Sequence, residues 1–579
     1  MHYDVAIIGG GPGGSTTAAF LKKYDPECNV VILEREQFPR DHVGESMLPP
    51  IMGILQELGA WDKVEAANFP IKIGVTLRWG KDPELWSLDF FPKALFKDEP
   101  RPARFEGQRR WTAFQVDRSI YDDILLRHAE GLGAEVREGT KVVRVEKSGD
   151  HVGALVLESG EKITADYVVD ASGHVGFLRR AMDVGITLPT NLQNIAVWDY
   201  WQNADWAVEI GVGGTFVQVL SLGYGWFWFI PLGPTRTSIG FVTSADYFKK
   251  SGLTTEQLYQ KAMSEEPRIL DLVKNAQSEG KLQATKDWSF VADRLTGDNW
   301  LLVGESAGFA DPVLAAGLSL THASAREAAL TLIALRNGSE DPTWLKSQYE
   351  RIQKKRVSNH IRFADYWYTA NAQFTDLKDF TREIAASNGL DLSPEKAWQW
   401  LAQGGFLDEE FGIGLGGFTL DQVKEIGDHL SDMRPAALVD GHNVFRLNLD
   451  GATRLDRAIY PGGEVKRSPC YERGSRVLPV GGVTDLIIHV LSKHSSRADI
   501  VAELEGTARL YSTNELFVKV ILSSVEIALE AMISDGWITA EYDPAISMSE
   551  FPNKKNVLQW LTDRGMDVPE SFKLTAITK

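Results

Sequence analysis

The chain opens on an apolar run, Val5-Ala6-Ile7-Ile8, that reads as a short buried strand. Gly9-Gly10-Gly11-Pro12-Gly13-Gly14 follows at once. A helical pattern then runs from residue 15 to about 23, and residues 29–33 form a second apolar strand, which completes a βαβ unit. A stretch rich in Trp and Phe comes next. Helical periodicity returns at 118–131, strand patterning at 136–145, 153–169 and 198–242, and 300–335 reads as a strand, a loop and a long helix. After about residue 363 the pattern becomes helix broken by Gly-rich loops, such as residues 412–417. From about residue 476 helical patterns end in Gly536-Trp537-Ile538, like the helices and wing of a small winged-helix module. Three parts are expected: 1–365, a mainly helical 366–475, and a winged-helix-like 476–579.

Composition narrows this picture. At 44% hydrophobic and 24% charged over 579 residues, the chain can build large cores. Its 61 basic and 79 acidic residues leave a net charge of −18, which disfavours a nucleic-acid or anionic-membrane partner. In the tail, Lys493, His494 and Arg497 are too few for a DNA-recognition surface. Two cysteines, Cys28 and Cys470, supply neither a disulfide framework nor a Cys-based zinc site, and no metal is expected. No apolar run approaches the ~18 residues of a membrane span. Met1-His2-Tyr3-Asp4 lacks the positive start of a signal peptide, so a cytoplasmic protein without stable membrane insertion is expected. The unusual count is 17 tryptophans.

The chemistry begins at the glycines. Gly9, Gly11 and Gly14 form G-x-G-x-x-G between a strand and a helix, where backbone amides can approach a pyrophosphate. Glu34 closes the second strand, 20 residues past Gly14, where an acid should accept adenosine ribose hydroxyls. Two later segments favour FAD as the dinucleotide. Val168-Val169-Asp170-Ala171-Ser172-Gly173 is a strand entering a small-residue turn. Trp300–Ala307 is a strand reaching Gly304 and Glu305, followed by Asp311-Pro312 and a helix after Ala316-Gly317. Glu305 suits the ribityl hydroxyls and that helix start suits the anionic edge of a flavin.

With Arg40, Val43-Gly44-Glu45-Ser46 and Gln115-Val116-Asp117-Arg118, these segments resemble the hydroxybenzoate-hydroxylase-like flavoproteins over about residues 1–360. The resemblance implies an α/β fold: an FAD-binding Rossmann-like domain with an inserted β-sheet substrate domain, plus a mainly helical C-terminal domain with a winged-helix-like end. It implies FAD contacts from Gly9, Gly11, Pro12, Gly13, Gly14, Ser15, Glu34, Arg35, Arg40, Glu45, Ser46, Arg118, Ala171, Ser172, Gly173, Gly304, Glu305, Pro312, Gly317 and Leu318. Asp287 stands where part of the family esterifies a carboxylate to the flavin; a strand-edge aspartate is the other reading.

Two segments select a branch. Trp226-Phe227-Trp228-Phe229-Ile230-Pro231 is similar to the W-x-W-x-I-P motif of flavin-dependent halogenases. Indoles at i and i+2 share one face of a strand and can wall off a cavity. Lys72, in Ile71-Lys72-Ile73-Gly74-Val75-Thr76-Leu77-Arg78-Trp79-Gly80, is similar to the halogenase segment around the active-site lysine. The resemblance then implies catalysis by Lys72, Trp226 and Trp228, halide on the amides of Ala316 and Gly317, and oxidation of chloride or bromide by a hydroperoxide of reduced FAD. It implies an extra C-terminal domain as in chloramphenicol-pathway halogenases. The substrate would be an electron-rich phenol or pyrrole, free or tethered to a carrier protein. A separate NAD(P)H-dependent flavin reductase would supply FADH2, since the chain holds no second fingerprint. A prenyl double-bond reductase of the geranylgeranyl type carries a related aromatic-proline segment and stays open, as do an aromatic monooxygenase and a non-enzymatic flavin scaffold.

Overall fold

The computed structural model describes residues 1–387 apart from 92, 94, 95, 98, 189, 191 and 212, then 429–430, 439–511 apart from 475, 525, 528–533 and 535–548. The chain divides into two compact units. The first comprises Met1–Asp391, His429–Ser431 and Tyr460–Val465. It runs past the boundary expected at residue 365 because the helix Pro342–Thr369 continues to Trp367 and Tyr368, whose rings pack 5.8 and 5.7 Å from that of Trp79.

Two large sheets and a small three-stranded one, Ile186–Thr187, Phe290–Ala292 and Gly308–Phe309, build this unit. The first is parallel at its centre, in the order Glu135–Arg137, Val30–Leu33, His2–Ile8, Lys162–Asp170, Trp300–Leu302. Its central strand reads as a near-continuous apolar run because both faces are covered. The helix Pro12–Tyr24 packs on it, and the helix Gly317–Asn337 packs against Pro12–Tyr24. The patterned stretches 136–145 and 153–169 break into four strands, Glu135–Arg137, Val142–Ser148, His151–Leu157 and Lys162–Asp170. Gly139 and Gly160 turn the chain between them at φ +62 and +87.

The second sheet has ten strands. Its centre runs Gln193–Gln202, Arg236–Ser244, Gly225–Pro231, Gly214–Leu222, Ile71–Arg78, Trp86–Asp89. All neighbours are antiparallel except Gly214–Leu222 and Ile71–Arg78, which run parallel. One face packs on the helices Thr255–Glu265 and Pro267–Leu272 through Phe227, Phe229, Ile239 and Phe241.

In the second unit the helices Gly482–Leu491 and Arg497–Tyr511 are followed by helical residues 528–533 and the strand Ile538–Glu541. They enclose a core of Phe445, Leu478, Ile487, Ile500, Leu504, Met532 and Trp537. This part also has a β component: Val444–Leu447 pairs with Ile538–Glu541, and Thr453–Ile459, Lys466–Arg473 and Arg476–Pro479 form a meander. Residues 412–417, read as a Gly-rich loop, lie outside the described residues. Among the described residues no helix is long and apolar enough to cross a membrane.

Candidate active site

The glycine loop is built by close approach. A Cβ on Gly9 would sit 2.4 Å from the Ala171 carbonyl oxygen, and one on Gly14 would sit 1.9 Å from the Gly9 carbonyl oxygen. The helix Pro12–Tyr24 can therefore start hard against the strand ends, with proline at its first turn and amides there that have no intrahelical acceptor. Ser15 Oγ donates to the Gly10 carbonyl at 2.7 Å. Glu34 is buried and accepts from the amides of Gly10 at 2.6 Å and Glu36 at 2.8 Å. Arg40 faces the loop, since a Cβ on Gly11 would lie 3.3 Å from its Nη2. Its buried Nη1 lies 3.4 Å from Asp122 Oδ2 yet makes no hydrogen bond. A guanidinium with unmade hydrogen bonds beside a glycine turn and a helix start fits a pyrophosphate. Arg35 instead is exposed and pairs with Glu36 at 3.2 Å.

Arg118 turns out to be a clamp on the protein itself. It forks Asp122 at 2.6 and 2.9 Å, and its Nη1 donates to the carbonyls of Val43 and Gly44 at 2.8 and 3.1 Å. This pins the segment that carries Glu45 and Ser46. Burial pushes the Glu45 carboxyl up to about 7, against hydrogen bonds from Tyr200 and Ser238. In the Ala171-Ser172-Gly173 turn the organising residue is Asp170. Its carboxylate accepts from Ser172 N and Oγ at 3.0 and 2.6 Å and from the amides of Leu178 and Arg179 at 2.8 and 3.1 Å. The Ser172 hydroxyl is thus committed to the turn.

Glu305 and the start of the long helix do meet: a Cβ on Gly317 would lie 3.8 Å from Glu305 Oε1. Burial raises the Glu305 carboxyl above the usual carboxylate range. Asp311 caps the turn Pro312–Leu314, Ala315 takes a left-handed φ of 53, and Ala316 caps the helix that begins at Gly317, with Leu318 buried behind. Asp287 lies opposite Asn194 in the strand Gln283–Trp288, and its side chain lies outside the described part.

Lys72 is 2% exposed. Simple alternation would put it on the sheet face opposite Val75 and Leu77. A register shift between Thr215 and Phe216 prevents this: Thr215 faces Lys72, Phe216 faces Gly74, Val217 faces Val75 and Val219 faces Leu77. Ile73 is skipped, and Lys72 joins the face of Val75 and Leu77. Trp228 lies opposite Val219 and Trp226 opposite Ser221, so both indoles share that face. So do Ser238, Tyr200, Trp198 and Asn194 on the next two strands. Lys72 Nζ donates to Ser46 Oγ at 2.8 Å and to the Met47 carbonyl at 3.1 Å. Burial alone pulls its pKa down to about 7.

The indoles are hydrogen-bonded wall pieces. Trp228 Nε1 donates to Ser238 Oγ at 3.0 Å, and the Trp226 and Trp228 rings lie 6.1 Å apart. Trp226 Nε1 donates to Tyr368 Oη at 2.8 Å, and Tyr368 donates to Asp311 Oδ1 at 3.2 Å. Asn194 Nδ2 donates to Asp311 Oδ2 at 3.1 Å. Burial pushes the Asp311 carboxyl up to about 7. This network joins the tryptophan wall to the turn before the candidate halide amides. Asp311-Pro312 was visible in the sequence as a motif and Tyr368 as one of several aromatics that fit either a substrate cavity or helix packing, whereas Asn194 carries no sequence signal of its own.

A glycine-loop dinucleotide site and a sheet that carries a buried amine and two indoles fit a flavoprotein oxidoreductase. A family profile described as FAD binding domain matches residues 2–364. The chain is 32% identical over 389 residues to the 1H-pyrrole-2-carbonyl-[peptidyl-carrier protein] chlorinase of Pseudomonas fluorescens, covering 64% of this chain and 85% of the relative. It is 32% identical to tryptophan 2-halogenase of Chondromyces crocatus, over 64% of this chain and 68% of the relative. Among solved structures, the myxobacterial chondrochloren halogenase CndH matches at 28% identity and a TM-score of 0.58, over 74% of this chain and 96% of that one. The flavin-dependent halogenase CmlS, at 23% identity, shares the fold over 96% of this chain and 98% of its own with a TM-score of 0.69. The chain belongs to the FAD-binding domain family and, within it, to the flavin-dependent halogenases. Its cofactor is FAD and its second small reactant a halide.

Proposed function

We propose that the protein halogenates an electron-rich aromatic carbon and that Lys72 carries the oxidised halogen to it. The observation that carries this reading is the Lys72 amine, buried with no charged neighbour among the described residues, on the face that holds Trp226 and Trp228. Bound and reduced, FAD with oxygen supplies the oxidising equivalent that converts halide into hypohalous acid. The glycine loop, Arg40, Glu34 and Glu305 hold the cofactor, and the amides of Ala316 and Gly317, at a helix start, hold the halide. Trp226 and Trp228 keep organic substrate away from the flavin while a small oxidised halogen passes.

At Lys72 the amine nitrogen attacks the halogen: the N–X bond forms, the O–X bond breaks, and an N–H proton leaves with hydroxide as water. The aromatic carbon then takes the halogen from nitrogen and loses its ring proton, and the amine recovers a proton. A neutral amine is required at the first step, which a pKa of about 7 provides at physiological pH.

The named chlorinase relative acts on a carrier-bound pyrrole, which supports a pyrrole or phenol, free or carrier-tethered, as substrate here. A separate NAD(P)H-dependent reductase supplies FADH2, supported by the single glycine fingerprint. The test is mass spectrometry of a phenol and pyrrole panel with bromide or chloride, a partner reductase and FAD. A product heavier by one halogen less one hydrogen is expected; oxygenated or double-bond-reduced products instead overturn the reading. Flavin retained by the chain after denaturation would support a covalent link at Asp287.

A further inference from the structure

A neutral primary amine has two N–H bonds and one lone pair. Lys72 Nζ has two acceptors in reach, Ser46 Oγ at 2.8 Å and the Met47 carbonyl at 3.1 Å. They take both hydrogens and leave the lone pair in the remaining tetrahedral sector. The Phe90 ring, its centroid 5.1 Å from Nζ, closes another side. None of these groups is charged.

Ser46 is held rigidly. Val116 N donates to the Glu45 carbonyl at 2.8 Å and Met47 N to the Phe114 carbonyl at 3.1 Å, so Ser46 sits in an antiparallel bridge opposite Gln115. The Arg118 guanidinium ties down Val43 and Gly44 just upstream. Ser46 and Lys72 are both buried and arrive from separate segments. By contrast, the hydroxyl of Ser46 makes its contact to the lysine rather than to the glycine loop.

We propose that Ser46, which family resemblance groups with the flavin contacts, is the positioning residue of the catalytic lysine: its hydroxyl and the Met47 carbonyl orient the amine so that the nitrogen lone pair meets the oxidised halogen. The proposal rests on the role of Lys72 given above. In the capture step the N–X bond forms as O–X breaks, and one of the two oriented N–H protons leaves with hydroxide as water. Without Ser46 the amine turns freely and fewer encounters with hypohalous acid are productive.

The test uses the full chain and the variants Ser46→Ala, Ser46→Thr, Lys72→Ala and the Ser46→Ala/Lys72→Ala pair. Competitive labelling with trace acetic anhydride across pH, read by peptide mass spectrometry, reports each lysine separately. Ser46→Ala is expected to change the Lys72 rate by about fivefold or more while other lysines stay unchanged, and Ser46→Thr to restore it. FAD affinity, read by flavin fluorescence, should stay within about twofold. With reduced FAD, oxygen, bromide and a cyclic β-diketone trap, Ser46→Ala should release more oxidised bromine than the unmodified protein, and should add nothing in the Lys72→Ala background. An unchanged Lys72 labelling rate, an FAD affinity lowered more than about tenfold, or effects that add across the pair would overturn the proposal. If Lys72→Ala releases no more oxidised bromine than the unmodified protein, the role of Lys72 as halogen carrier fails, while the labelling still decides whether Ser46 governs the lysine.

Discussion

A lysine in a dry, uncharged setting is a different reagent from one in water. In the unfolded chain Lys72 titrates near ~10.4, whereas burial brings the folded value down to about 7. Halogen transfer that needs the neutral amine should therefore rise with pH through about 7 and then level off. The same shift has a stability consequence. Between about 7 and ~10.4 the unfolded chain binds a proton that the folded chain does not, so stability rises with pH across that window. Below it both states hold the proton and the cost is constant. Lys72→Met removes that cost and is expected to raise stability at neutral pH by about 1–3 kcal/mol while abolishing halogenation. Thermal melts and product assays on the same preparation would check this; a lysine kept for structure alone would lower both. Lys72, Trp226, Trp228 and the glycines were legible in the sequence because contiguous motifs carry them. Ser46 as the partner of Lys72, and Tyr368 and Asn194 as partners of Asp311, were not, because each pair meets across 26, 57 and 117 residues of chain.

At the scale of elements, the register shift beside Ile73 is what makes the lysine available to the tryptophan face. Period-two alternation alone would set Lys72 on the opposite face, because the skipped residue that chooses the face is a property of pairing between strands, not of the strand's own sequence. Gly240 has a matching role in the neighbouring strand: a Cβ there would lie 2.1 Å from the Trp228 indole. Gly240→Ala is expected to displace that ring, cost about 1–3 kcal/mol and let oxidised halogen or substrate cross the wall. The readouts are a denaturant melt and the share of oxidised bromine lost to a trap. Elsewhere the helix 118–131 matched its pattern, Arg118–Gly131, with Asp117 capping it as its own sequence dictates. The longer strand stretches were over-read because Gly139 and Gly160 break them.

At the scale of the molecule, the first unit is a parallel sheet that presents a phosphate-binding loop and a ten-stranded sheet that presents a buried amine. The sequence carried this division well: the early βαβ unit, Glu34 and the later segment 304–317 come together in space, with Glu34 on Gly10 and both Gly13 and Gly304 against Thr321. The extent of that unit was less legible, because Trp367, Tyr368 and Phe374 fit either ordinary helix packing or a substrate cavity until their packing on Trp79 is seen. Of the 17 tryptophans, Trp79, Trp86, Trp198, Trp226, Trp228 and Trp367 form one aromatic block at the candidate site. Oxidised halogen is expected to reach substrate through Lys72. The most direct measurement compares Lys72→Ala with the unmodified protein, using reduced FAD, oxygen, bromide and an activated phenol. FAD binding should persist and brominated phenol should fall about 100-fold or more; full bromination by the variant would contradict the account.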